Sequence, residues 1–214
     1  MSYFSDIEYK KKTTTEGLWF EQLYFDRWFR GVDGKILDVG CATGNFMALA
    51  SDRMVGVDID EDSLKISKNR GFEVYKVDGD KPFVQFEADM FGGIYAKQVI
   101  EHLSDPLTFF KEAYRVLKPG GIAVFLTPNC PYMLGREFYD DYTHIRPFTR
   151  VSLAMVAYDA GIPKENIKIV EDFRCFPGLG RIMRMFNISP GFIRKAENML
   201  GIRGLSLIIE IRKS

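Results

Sequence analysis

The chain has 214 residues, 46% of them hydrophobic and 14% aromatic, and its 29 basic side chains balance 29 acidic ones. This is the size and apolar content of one globular domain with a full core, and it excludes a disordered chain. Charge neutrality argues against a general nucleic-acid binder, and no apolar run approaches the roughly 20 residues that span a bilayer.

In chain order, residues 16 to 30 place Leu18, Trp19, Tyr24, Phe25, Trp28 and Phe29 at helical spacing, which predicts an amphipathic helix. KILDVG, residues 35 to 40, reads as a buried strand entering a glycine-bearing turn, with a helix expected from about Gly44 to Arg53. MVGVD, residues 54 to 58, is a second strand, followed by a helix from Glu61 to Arg70 capped by Asp60. FEVYKVD, residues 72 to 78, is a third strand, and KPFVQFEADM after it is irregular. GGIYAKQVI, residues 92 to 100, is a fourth strand, and Pro106 to Leu117 form a helix with Asp105 as its cap. IAVFLT, residues 122 to 127, is a fifth strand. An aromatic loop without periodicity follows over 128–148, then a helix from Thr149 to Ala160. A sixth strand is expected over 167–173, an apolar excursion over 177–203, and a last strand over 205–211. Strands alternating with helices predict an α/β fold with helices on both faces of a mostly parallel sheet. No repeat or linker divides the chain, so residues 1–214 are expected to form a single domain.

Cys41, Cys130 and Cys175 are widely spaced and form no C-x-x-C pair, which fits free thiols in a reducing, cytoplasmic setting better than a disulfide framework. The polar N-terminal stretch lacks the apolar core of a signal peptide. The sequon at Asn187-Ile188-Ser189 is therefore read as chance.

In sheets of this kind ligands bind at the carboxyl ends of the strands. The first strand ends Asp38-Val39-Gly40-Cys41-Ala42-Thr43-Gly44-Asn45-Phe46. Small residues at 40, 42 and 44 let a ligand lie against the backbone. The dinucleotide pattern G-x-G-x-x-G fails at Asn45, and the Asp38 carboxylate would repel a pyrophosphate. A carboxylate there suits a cofactor with a positive amino end, as S-adenosylmethionine has.

DVGCATGNF resembles motif I of the class I S-adenosylmethionine-dependent methyltransferases. With GFEVYKVD, VIEHLSDP and RVLKPGGIAVFLTPN in the same order, residues 34 to 161 look like the ubiquinone/menaquinone-methyltransferase-like branch. The resemblance implies a Rossmann-like three-layer sandwich with a seven-stranded, mostly parallel sheet. Its last strand would run antiparallel between the fifth and sixth. S-adenosyl-L-methionine would be the cofactor and S-adenosyl-L-homocysteine the product. Asp38 would receive the amino group, and Gly40, Ala42 and Gly44 would lie under the methionine part. Asp58, 20 residues after Asp38, would accept from both ribose hydroxyls, and Ile59 would pack on adenine. Asp78, with Gly79 beside it, would accept from the adenine amino group, Asp80 being its rival. Lys97 and Gln98 would face the methionine end, mainly through backbone. Ala42 stands where the family often has glycine, and Gly92 where it commonly has aspartate.

The chain has only two histidines. His144, oriented by Asp141 or Asp140, is the first candidate for a catalytic base, and His102, after Glu101, is the second. A structural role remains open for each. Asp141 and His144 alone make too small a ligand set for a metal, so none is expected. Tyr132, Phe138, Tyr139, Tyr142 and Phe148 either wall an acceptor pocket or pack the 128–148 loop, and Arg136, Arg146 and Arg150 stand among them. Trp19, Tyr24 and Trp28 either cover the cofactor or pack on the sheet. Asn129-Cys130-Pro131-Tyr132 resembles the N-P-P-Y motif of amino-methylating nucleic-acid enzymes, but it follows the fifth strand rather than the fourth, which argues against a nucleic-acid substrate. The expected function is methylation of a small-molecule acceptor, with oxygen favoured. The rivals are a non-catalytic cofactor-binding module and, behind it, an NAD(P)-dependent oxidoreductase.

Overall fold

A computed structural model describes residues 15–78, 81, 83–133, 136–172 and 204–214. Gly79, Asp80, Cys175, the 177–203 excursion with its sequon, and the Arg136 side chain lie outside the described residues.

The first described element is helix α1 (Thr15–Tyr24), which continues into a π-helical turn, Phe25–Phe29. Seven strands follow: β1 (Ile36–Val39), β2 (Met54–Asp58), β3 (Glu73–Lys76), β4 (Phe91–Lys97), β5 (Leu117–Pro128), β6 (Ile167–Asp172) and β7 (Ser206–Arg212). Helices α2 (Glu61–Asn69), α3 (Pro106–Val116) and α6 (Arg150–Asp159) lie between them, and two short helices, α4 (Cys130–Met133) and α5 (Arg136–Tyr139), break up the 128–148 stretch. The sheet order is β3-β2-β1-β4-β5-β7-β6. β1 pairs parallel with β2 and β4, and β5 with β4, while β7 pairs antiparallel with both β5 and β6. The antiparallel last strand between the fifth and sixth is the topology that the resemblance implied.

Alternation along the strands builds two cores, one on each face. Leu37, Val57, Ile94 and Phe125 pack under Phe109 and Phe110 of α3 and Leu153 of α6. Ile36, Met54, Tyr95 and Val124 pack under Phe25, Trp28, Phe29 and Leu64 on the α1 and α2 side. Every side chain of β1 is buried, as expected of a central strand covered on both faces.

The predicted caps are in place. Asp60 accepts the Ser63 N–H at 3.1 Å, Asp105 the Thr108 N–H at 3.0 Å, and Thr149 forms a capping box with Ser152. The helix expected from Gly44 to Arg53 does not form. Gly44 sits at φ +79° and Ala50 at φ −158°, so only a single 3-10 turn, Met47–Leu49, remains between them. β4 ends at Lys97 rather than Ile100, because Gln98 at φ +57° turns the chain into a 3-10 turn, Ile100–His102. Gly92 also has its reason: a Cβ there would come within 1.8 Å of the Asp33 carbonyl oxygen, so the aspartate common in the family is barred at this position.

Candidate active site

The carboxyl ends of β1, β2, β4 and β5 share one rim of the sheet. On it, the turn after β1 is fixed by β2. The Val57 carbonyl accepts the N–H of Gly40 at 2.8 Å and of Cys41 at 3.1 Å. Asp58 accepts the N–H of Ala42 at 2.8 Å through one carboxylate oxygen and of Asp60 at 2.9 Å through the other. Gly40 and Ala42 are thereby held at φ +71° and +45°. From below, Ser67 donates to the Ala42 carbonyl and Arg70 to that of Thr43. The backbone turn expected at 40–44 is present, but the helical N–H groups expected behind it are not.

Asp38 is buried on the α1 face, in register with Tyr95 of β4. Ile59 is 61% exposed, large for an aliphatic side chain next to an ordered strand end. Asn45, where the dinucleotide pattern needs glycine, has a buried side-chain N–H group without a hydrogen-bond partner. Asp78 is exposed at the end of the β3 segment. The backbone N–H of Gln98 already donates to the Leu126 carbonyl, so only its carbonyl and side chain remain for a ligand. α1 reaches this rim through Glu21, a buried carboxylate that accepts from the Tyr95 hydroxyl at 3.1 Å and pairs with Lys97. Tyr24 and Trp28 are core side chains packed on the sheet.

Beyond β4 the histidines meet. The rings of His102 and His144 lie 4.6 Å apart, centroid to centroid. Glu101 is fully buried beneath them. One of its oxygens accepts from Thr127 at 3.1 Å and the other has no hydrogen-bond partner. Burial pushes this carboxyl up to about 8, so it is neutral at pH 7. Donor atoms of Glu101, His102 and His144 all lie within 4.8 Å of one another. Glu101 and His102, rather than Asp141, are thus the groups that stand with His144 as potential ligands. Asp141 lies 3.8 Å from His144, as the sequence reading expected, but its closer partner is Thr143, whose hydroxyl donates to it at 2.6 Å. Burial works against Asp141 ionising, yet the bonds from Thr143 and the neighbouring histidines hold its carboxyl below the usual range.

Phe138 and Phe148 are buried, whereas Tyr132, Tyr139 and Tyr142 are exposed. Arg146 donates to the Ser104 carbonyl and Arg150 to that of Ile169. Asn129, the first residue of the decoy motif, is buried and donates to the Gly204 carbonyl, fixing the entry to β7.

An acid at the end of β2, a tight turn after β1 and an acid–imidazole group past β4 thus stand along the carboxyl ends of the strands of an α/β sheet. The methyltransferase-domain family profile matches residues 37–125. A demethylmenaquinone methyltransferase of Anoxybacillus flavithermus is 31% identical over 172 residues, covering 74% of this chain and 70% of its own length. The mitochondrial ubiquinone biosynthesis O-methyltransferase of Mus musculus is 32% identical over 127 residues, and the match spans 34% of that protein. The crystal structure of an S-adenosylmethionine-dependent methyltransferase from Archaeoglobus fulgidus superposes with a TM-score of 0.75 at 24% identity, covering 99% of this chain and 100% of that one. The chain belongs to the class I S-adenosylmethionine-dependent methyltransferases, in their quinone-methyltransferase-like branch. It is an enzyme that uses S-adenosylmethionine, which retires the oxidoreductase and non-catalytic alternatives.

The residues fit that cofactor. Asp58 offers an anchored carboxylate for hydroxyls, Ile59 an apolar surface for a base, and Asn45 an unpaired buried donor in the turn. When bound, the cofactor supplies an electrophilic methyl group on a sulfonium. Among the described residues, no helix is long and apolar enough to cross a membrane.

Proposed function

We propose that the enzyme methylates a hydroxyl group of a small, ring-bearing acceptor. The observation that carries this reading is the placement of two imidazoles and Asp141 just past β4, beside the strand-end rim where Asp38 and Asp58 lie. A hydroxyl must lose its proton in the transfer itself, so it uses a positioned base directly, whereas an activated ring carbon attacks with its own electron density, loses its proton afterwards and depends on such a base less. Asp38 would receive the cofactor amino group, directly or through water, and Gly40, Ala42 and Gly44 would run beneath its methionine part. Asp58 would accept from the ribose hydroxyls, Ile59 would cover adenine, Asp78 with Gly79 would meet the adenine edge, and Gln98 would face the methionine end. His102 or His144, with Asp141, would take the proton. The acceptor would enter between α1 and the 128–148 segment of a single domain. The buried thiols of Cys41 and Cys130 fit the cytoplasm.

A carbon acceptor is the second reading, favoured by the name of the Anoxybacillus relative. Turnover separates the two. Purified enzyme with labelled S-adenosylmethionine is offered 3,4-dihydroxybenzoate, a naphthohydroquinone bearing a free ring carbon, and a primary amine. Label on oxygen supports the proposal. Label on ring carbon alone, or on nitrogen alone, overturns it.

A further inference from the structure

We propose that Thr143 is a positioning residue that links Asp141 to His102 and so makes His102, rather than His144, the base of the reaction. This inference rests on the hydroxyl-acceptor reading above.

The protons can be assigned from the hydrogen bonds. Thr143 has one hydroxyl hydrogen, and it goes to Asp141 at 2.6 Å; the Thr143 backbone N–H reaches the same carboxylate oxygen at 2.9 Å. The Thr143 hydroxyl can therefore only accept from His102 Nδ1, which lies 2.9 Å away. The Thr143 carbonyl, 3.2 Å from the same nitrogen, is also only an acceptor. Two partners in Thr143 thus place the His102 proton on Nδ1, which leaves Nε2 as its basic nitrogen.

His144 has the same tautomer for a different reason: its Nδ1 lies 2.6 Å from the Phe138 carbonyl, to which it must donate. Its Nε2, however, faces Asp141 at 3.8 Å. The basic edge of His144 is turned to the protein's own carboxylate, whereas the acid stands behind His102. A base with its orienting acid behind it is the arrangement that nucleophile-activating histidines share. Here a hydroxyl is interposed: Asp141 accepts from Thr143, and Thr143 accepts from His102.

In the reaction, the acceptor oxygen gives its proton to Nε2 of His102 as its lone pair takes the methyl group. His102 would thereby become an imidazolium whose charge faces Asp141 through Thr143, taking up the positive charge that the bound cofactor would lose with its methyl group. Loss of that proton to water restores the resting state.

The chain's two histidines make the test simple. Long-range nitrogen–proton NMR of the full-length enzyme reads each imidazole tautomer, with His144→Gln identifying the His102 signals. In the wild type, His102 should show the Nδ1–H form. Thr143→Val, nearly isosteric, should move His102 to a mixture of tautomers and lower kcat by about 10²-fold on whichever hydroxyl acceptor is turned over, with KM for the cofactor unchanged. Thr143→Ser should restore both. An Nε2–H tautomer of His102 in the wild type, or a Thr143→Val spectrum identical to the wild type, overturns the proposal. So does a wild-type spectrum that changes on adding EDTA, because Nε2 would then be held by a metal ion. The tautomer is read without an acceptor, so failure of the hydroxyl-acceptor reading would appear separately, as absent turnover with the relay intact.

Discussion

Asp58 holds the backbone N–H of Ala42 at 2.8 Å, so the last residue of β2 shapes the turn that leaves β1. Within the proposed site, the same carboxylate then has two tasks, fixing the turn and accepting ribose hydroxyls. Asp58→Ala should weaken S-adenosylmethionine binding by about 1.5–3 kcal/mol, the scale of hydrogen bonds to a charged group. Calorimetry with the cofactor and its demethylated product checks this, with NAD as a control expected not to bind. Unchanged affinity would remove Asp58 from the site.

Ala42 lies at φ +45°, where a Cβ is strained. Ala42→Gly should relieve the strain, offset in part by the freer unfolded chain, for a net gain of about 0.5–1 kcal/mol. A urea midpoint that rises with an unchanged slope would show it. A falling midpoint would mean that the methyl group is needed for packing.

Glu101 gives stability a pH dependence. Its folded carboxyl titrates near 8 against an ordinary 4.5, because burial favours the neutral form. A raised folded value means that the stabilisation is complete below about 4.5 and is lost as pH rises from there through 8. The local slope is at most about 1.4 kcal/mol per pH unit. Glu101→Gln, which keeps the shape and cannot ionise, should flatten that slope. Denaturation of both proteins at pH 6, 7 and 8 compares them, and parallel curves would show that Glu101 is already ionised at pH 6.

The two histidines should separate kinetically. His102→Ala should cut transfer to a hydroxyl acceptor by about 10²–10⁴-fold while leaving cofactor affinity intact. His144→Ala should cost about 10-fold or less, since it contributes packing against Phe138 and charge beside Asp141. The reverse ranking would return the base to His144.

Much of this was legible along the chain because the forces are local. Asp60, Asp105 and Thr149 cap helices three residues away, Asp58 closes the apolar strand β2, and Asp38 lies one residue before the end of β1. The failures are long-range. Gly44 reads as a helix start, yet a turn pinned to β2 keeps it left-handed. Thr127 bonds Glu101 across 26 positions and Thr143 bonds His102 across 41, so neither could be picked from spacing. Asp141 lies beside His144, three positions away, but its short hydrogen bond comes from Thr143. Asn129, set aside as a decoy from its place after the fifth strand, donates to the Gly204 carbonyl across 75 positions, a partner that spacing could not reveal.

The placement of β7 also bears on how the protein is made. As the chain leaves a ribosome, β5 and β6 emerge well before the strand that joins them, and each then carries an edge of unpaired amides and carbonyls along Ile122–Pro128 and Ile167–Asp172. Such edges are templates for pairing with other chains. Closing the gap requires residues 206–212, so the nascent protein passes through a stage in which most of its core is already synthesised and its sheet is still split. Chaperone dependence and aggregation during rapid expression should therefore track the delay between synthesis of β6 and of β7, and slowing translation between them should lower the soluble yield.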